Sequence, residues 1–295
     1  MEVNRKIAVL ANKWWEAVPL VSVLQHAREI KPEFSGCPSA FDILEYRQPR
    51  ETVNGPRLKC VIGDSAVEVW CLEDLIAKGK NTSSSREKEK ALRQFGAQQL
   101  QDASLVIAFG TAAAPKREFN GNVVIGCRVF VSDARNEEDG SEFVTSDRFG
   151  HIVNSSTERL LQDQRLLASV AEAESRLLKV SNNASPSPAI YMSPSYVSVG
   201  VVNVTDSQSY EDVDRKALEQ FAGVNDGFEA LSVETTHGLI RLSSDKPFLY
   251  VSGILNEVGG FAEEVKSRRY AQSFAVSHNA AVSLAWMLPF VCQHF

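Results

Sequence analysis

Short runs of consecutive apolar, β-forming residues recur along this chain, and most lead into stretches where apolar residues fall at helical spacing. Ile7-Ala-Val-Leu-Ala11 and Leu105-Val-Ile-Ala-Phe109 are two such runs. Neither alternates with polar residues, so neither leaves a face for water, and each reads as a strand buried on both sides. Strands of that kind need helices above and below them. Strand and helix alternating along the chain call for a mostly parallel sheet covered on both faces, the α/β class.

Trp14 to Ile30 reads as a helix with Val18, Val21, Leu24 and Ala27 on its apolar side, which puts Pro19 in the first turn. Residues 31 to 57, rich in Pro, Gly and Arg, read as a long loop. Leu58 to Ile62 and Ala66 to Leu72 flank Gly63-Asp64-Ser65 and pair as an antiparallel hairpin. The charged, serine-rich stretch Lys78 to Lys90 reads as a solvated loop running into a helix over Ser85 to Leu100. After Leu105 to Phe109 the chain turns at Gly110-Thr-Ala-Ala-Ala. Val123 to Val131 is a single strand ending at Asp133, and residues 134 to 156 form an irregular excursion. Thr157 to Val180 is one helix, and Asn182 to Pro188 a surface loop. Then follow a strand (Tyr196 to Val204), a helix (Tyr210 to Phe221), a short strand (Ala230 to Val233), a helix from Thr236 to Leu242 and a strand (Pro247 to Leu255). A long helix over Glu263 to Leu288 closes the chain. No repeat and no second domain is visible, so residues 1–295 are read as one domain.

Of the 295 residues, 44% are hydrophobic and 23% charged, enough to build one large core. A net charge of -6 disfavours a nucleic-acid surface, which needs clustered Lys and Arg. No apolar run approaches the roughly 20 residues of a membrane helix, and Ile7 to Ala11 is too short for a signal-peptide core. The five cysteines (Cys37, Cys60, Cys71, Cys127, Cys292) are odd in number and form no C-x-x-C pair. The expected location is cytoplasmic. His26, His151, His237, His278 and His294 do not cluster at ligand spacing, so neither a metal nor another cofactor is expected.

Four segments, in order, carry a resemblance. Ile7-Ala-Val-Leu-Ala-Asn-Lys-Trp-Trp-Glu16 is a strand, a turn and a Glu at the start of a helix. Val106-Ile-Ala-Phe-Gly-Thr-Ala-Ala113 is followed by Gly121-Asn-Val-Val-Ile-Gly and Val129-Phe-Val-Ser-Asp133. Val199-Gly-Val-Val-Asn-Val-Thr-Asp206 is the third. Leu231-Ser-Val-Glu234 through Pro247-Phe-Leu-Tyr-Val-Ser-Gly-Ile-Leu-Asn256 is the fourth. Together they resemble the nucleoside phosphorylase and nucleosidase superfamily across nearly the whole chain. The resemblance implies a three-layer α/β/α domain with a twisted central sheet, a nucleoside ligand, and a homo-oligomer, dimer or higher.

Breaking an N-glycosidic bond passes through an oxocarbenium-like sugar, so a protein must stabilise positive charge there and help the base leave. By resemblance, Glu16 stands where the nucleosidases orient water; as a helix N-terminal carboxylate it has a structural role open to it too. Glu234 matches either of two carboxylates of the family's "V-E-M-E", one of which binds ribose. In one register Thr236 occupies the ribose-binding place, and in the other Glu234 does. Its structural alternative is a helix cap ahead of Thr235 and Thr236. Asn256 stands where the nucleosidases have an acid. An amide donates no catalytic proton but can hydrogen-bond a base. Thr111 and Ala112 are candidate ribose or anion contacts through backbone N–H groups, and Tyr210 a candidate base-stacking residue. Asp206 is read as structural, Trp14 and Trp15 as core, His237 as a satisfied core or surface residue, and Arg268 and Arg269 as a solvated face.

Phosphate is the co-substrate that separates the readings. The arginines of the phosphorylases are replaced by Ala108 and by Asn12-Lys-Trp-Trp-Glu, where Lys13 offers only a point charge. Hydrolysis of a purine-type nucleoside is therefore expected. The rivals are a non-catalytic nucleoside-binding relative and a phosphorylase that takes its arginines from another subunit.

Overall fold

A computed structural model describes residues 5–26, 42–46, 55–133, 155–180, 187–202, 210–224, 227–260 and 270–295. In chain order its strands are β1 (Arg5–Ala11), β2 (Asp42–Tyr46), β3 (Leu58–Ile62), β4 (Ser65–Cys71), β5 (Leu105–Ala114), β6 (Val123–Gly126), β7 (Arg128–Asp133), β8 (Ile190–Met192), β9 (Tyr196–Val202), β10 (Glu229–Glu234) and β11 (Phe248–Glu257). The helices are α1 (Trp14–Gln25), α2 (Leu72–Leu75), α3 (Ser85–Gln99), α4 (Ser155–Leu161), α5 (Gln164–Glu174), α6 (Tyr210–Gly223), α7 (His237–Leu242) and α8 (Tyr270–His294).

The strands form one sheet in the order β2-β3-β4-β1-β5-β10-β9-β7, and β11 joins β5 to β6 and β8. Six of its ten pairings are parallel: β1 with β4 and β5, β5 with β11, β6 with β8, β7 with β9, and β9 with β10. The sheet is thus mixed but mostly parallel. Successive residues of β1 show why three layers form. Ile7, Val9 and Ala11 pack with Leu20 and Leu24 of α1 and Leu284 and Trp286 of α8. Ala8 and Leu10, on the other face, pack with Leu92 and Phe95 of α3 and Leu239 and Ile240 of α7. Each large aliphatic residue so buried contributes about 1.5–3 kcal/mol.

The structure corrects several expectations. Within the span read as a loop (31–57), residues 42–46 form β2, which pairs with β3. α1 begins at Trp14 as expected, but Pro19 is its sixth residue and so lies beyond the first turn, inside the helix. β5 does not turn at Gly110 but runs on to Ala114, held by β11 as far as Glu257. Val123–Val131 is two strands, since β6 pairs with β11 and β7 with β9. The helix expected over 157–180 breaks after Leu161, and Asp163 caps α5 by accepting from the Arg165 N–H. β8 was not anticipated. The last helix departs from the hydropathy reading as well: Gln272–His294 is long and apolar enough to cross a membrane, yet 78% of its apolar window is buried in the fold. Trp286 and Leu284, fully buried, mark it as a core helix. Residues 134–154, 181–186, Asp206, Arg268 and Arg269 lie outside the described residues.

Candidate functional site

In a parallel sheet, ligands bind beyond the carboxyl ends of the strands, where connections diverge to opposite faces. β1, β5, β10 and β11 end close together here. Ala11 pairs with Phe109, Val233 with Ala113, and Asn256 with Ala113. Between Ile254 and Asn256 the register of β11 slips by one residue, a bulge of the kind that re-aims side chains next to active sites. Beyond these ends lies a cavity of about 230 Å³. Glu16, Thr111, Ala112, Glu234, Thr235 and Asn256 all line it.

Glu16 is 2% exposed and reaches across from α1 to β5. Its Oε1 accepts hydrogen bonds from the N–H and the Oγ1 of Thr111, both at 2.8 Å. Oε2 accepts from the Lys13 N–H at 2.9 Å. The helix-terminal role and the cavity position thus coexist in one side chain. The approach needs a glycine behind it: a Cβ on Gly110 would stand 3.0 Å from Oε1. Burial raises the Glu16 carboxyl above its ordinary range, while the Thr111 and Lys13 donors and the charge of Lys88 pull it back.

Glu234 ends β10 with both carboxylate oxygens committed, Oε2 to the Thr236 N–H and Oε1 to the His237 N–H. It therefore caps α7 as well as lining the cavity. Burial pushes its carboxyl upward, while those two donors and the charge of Lys88 pull it back and favour the ionised form. His237 is buried, with Nδ1 3.2 Å from Ser198 Oγ and 3.5 Å from Ser252 Oγ. Desolvation lowers it to about 3, so it is neutral in this core. Thr236 sits behind the cavity wall, 1% exposed. Asn256 donates from Nδ2 to the Glu257 carbonyl at 3.0 Å.

The sequence reading passed over Lys88. It lies in the run Lys78 to Lys90, read as solvated, yet it is 2% exposed and points from α3 into the site. Its Nζ is 3.3 Å from Thr236 Oγ1 and 3.5 Å from Thr235 Oγ1. Glu234 and Glu16 supply the negative charge around it. Burial lowers it to about 8 even so. Ser85 and Leu92, three residues before and four after, are buried on the same helix face, which was the available signal. Lys13 turns away from the phosphate role considered for it: its Nζ binds Glu73 Oε1 at 3.1 Å and the Thr82 carbonyl at 3.0 Å. Trp14 is 42% exposed rather than core, while Trp15 is half-buried on the cavity wall. Tyr210 begins α6, and its side chain lies outside the described residues.

No protein-family model matches the sequence, and no curated protein matches it. Solved structures do. The 5′-methylthioadenosine/S-adenosylhomocysteine nucleosidase of Campylobacter jejuni superposes with a TM-score of 0.52 at 12% identity, covering 99% of this chain and 100% of its own. The futalosine hydrolase of Helicobacter pylori gives 0.52 at 11%, covering 97% of each chain. The chain has the nucleoside phosphorylase fold. The S. pneumoniae methylthioadenosine nucleosidase, solved with a transition-state inhibitor, superposes at 0.51 with 13% identity, covering 97% of this chain and 99% of its own. At such identities the likeness establishes the nucleoside phosphorylase fold, and the chemistry rests on the residues present here. Among the described residues no group of three or more His, Cys, Asp and Glu is placed to hold a metal ion.

Proposed function

We propose that this chain hydrolyses the N-glycosidic bond of a purine-type nucleoside, and the observation that carries the reading is the convergence of Glu16, Thr111, Glu234 and Asn256 on one cavity. Three donors fix the Glu16 carboxylate, and Oε2, with one of them, keeps a lone pair for a water molecule. Held there, the water attacks C1′ as the sugar becomes oxocarbenium-like. Glu234 supports the register in which it meets the ribose hydroxyls itself. The two backbone donors aim its carboxylate and leave each oxygen one further acceptor site. Asn256, at the bulge, offers a carboxamide to the edge of the base.

Hydrolysis is favoured over phosphorolysis by charge. No arginine lines the cavity among the described residues, and Lys13 is engaged by Glu73. Lys88 shares the cavity with Glu16 and Glu234, whose charges act on it, so a phosphate dianion drawn to it meets two carboxylates in the same space. The similar structures, two named as nucleosidases and one as a hydrolase, agree with this choice.

The test is release of free base from a panel of purine nucleosides, with and without inorganic phosphate, for the wild type and Glu16→Gln. Release at equal rates in both conditions, lost in Glu16→Gln, is the expected result. Strict phosphate dependence overturns the hydrolase reading. Tight nucleoside binding without turnover points to the non-catalytic relative, for which Asn256 in place of an acid is the motivating feature.

A further inference from the structure

The Asn256 amide donates no catalytic proton, so the departing base needs its proton from elsewhere, and the cavity contains a carboxyl that the hydrolytic reading leaves idle. Asp214 lies on α6 and lines the same cavity as Glu16, Glu234 and Asn256. It is 9% exposed, and its Oδ1 makes no hydrogen bond among the described residues. The fold explains how it gets there. Val213, Ala217 and Phe221 of α6 pack on Phe130 and the strand β9, which turns the adjacent Asp214 inward. Asp212, Arg215 and Lys216 on the same helix are exposed. The charged groups facing the cavity from the other elements are Glu16, Glu234 and Lys88, with Lys13 tied to Glu73. A buried carboxyl without a partner destabilises the fold unless it stays protonated, and such a group in a cleft marks a functional position.

We propose, on the basis of the hydrolytic reading above, that Asp214 is the general acid of the reaction, supplied by a helix in place of the acid missing from the end of β11. The C1′–N bond breaks with its electron pair going to the base, and the Asp214 carboxyl proton moves to a ring nitrogen of that base. The water held by Glu16 forms the new C1′–O bond and passes its surplus proton to the Glu16 carboxylate. Release of that proton to solvent and reprotonation of Asp214 close the cycle, so that nucleoside and water give ribose and neutral base. Burial raises the Asp214 carboxyl to about 7, which keeps it protonated up to neutral pH.

The deciding experiment compares two substrates, a purine nucleoside and p-nitrophenyl β-D-riboside, whose leaving group departs without protonation. Asp214→Asn is expected to lower kcat on the nucleoside by about 10²–10⁴-fold while leaving the aryl riboside within about threefold. Wild-type kcat on the nucleoside is expected to fall above pH about 7, and this limb to vanish with the aryl riboside. Equal losses on both substrates, or no loss on either, overturn the acid assignment and leave the hydrolase reading standing. A wild-type profile flat through neutrality on the nucleoside also overturns it, without recourse to any variant. A wild type that cleaves neither substrate overturns both readings together.

Discussion

Thr111 binds Glu16 twice through the same carboxylate oxygen, with its backbone N–H and its hydroxyl each 2.8 Å from Oε1. That double bond of contacts between β5 and α1 sets the direction of the proposed water-activating group. Thr111→Val keeps the shape and the N–H and removes the hydroxyl. We expect kcat to fall about tenfold, with folding stability changed by about 1 kcal/mol, the usual net contribution of one hydrogen bond. The acid limb of the kcat profile should move to higher pH, because a donor that lowers the Glu16 carboxyl is gone. Steady-state kinetics across pH checks both effects.

Lys88 supplies the positive charge that faces Glu16 and Glu234. Lys88→Met keeps the volume and deletes the charge. Both carboxyls then rise, since desolvation is their largest perturbation and Lys88 opposes it. Activity is expected to drop by about 10²-fold or more, with the acid limb displaced upward, as one carboxylate is lost from duty at neutral pH. Kinetic profiles of Lys88→Met and Lys88→Arg should differ, the latter keeping the limb in place. Identical profiles for Lys88→Met and wild type would show that Lys88 has no electrostatic role.

Gly200 and Gly238 bring β9 and α7 into backbone contact. A Cβ on Gly200 would lie 2.5 Å from both the Cα and the N of Gly238, atoms that cannot swing aside. Gly200→Ala must push α7 off the sheet and carry the Glu234 cap with it. The expected destabilisation is about 1–3 kcal/mol by urea unfolding, with a raised KM for ribonucleosides.

His237 links stability to pH. Its folded-state value is lowered to about 3 from 6.5, so its contribution is complete above pH about 6.5 and is lost as pH falls through about 3. Asp214 has the opposite sign: raised to about 7 from 3.8, its contribution is complete below pH about 4 and lost on going up through about 7. From pH 6.5 to 4 the wild type should therefore lose about 3 kcal/mol more stability than His237→Asn. Unfolding curves at the two pH values measure the difference.

The layered fold was legible because strands buried on both faces leave an unmistakable apolar signature, as in Ile7 to Ala11, and because four separated segments carry the resemblance. Breaks without glycine or proline were harder to read: in Leu161-Gln-Asp-Gln164 the one local signal is the cap residue Asp163, which fits the exposed face of a continuous helix equally well, and the break accompanies the packing of α4 and α5 on α8. The extension of β5 through Thr111 likewise depends on β11, more than 130 residues away in sequence. In the candidate site, Glu16 at the start of α1 and Glu234 at the end of β10 were visible because both stand in segments that carry the resemblance. Lys88 and Asp214 sit in charged helical runs that look solvated, and their burial is decided by elements distant in sequence. Charge pattern alone carries no information about which member of such a run turns inward.

Whether water is the nucleophile at C1′ separates hydrolysis from its rivals. Wild-type enzyme turning over a purine nucleoside in ¹⁸O-labelled water, with phosphate present, tests this by mass spectrometry of the sugar product. We predict ribose carrying one ¹⁸O, formed at the same rate when phosphate is omitted, and no labelled sugar from Glu16→Gln. Ribose 1-phosphate as the product, or no sugar product at all, would contradict it.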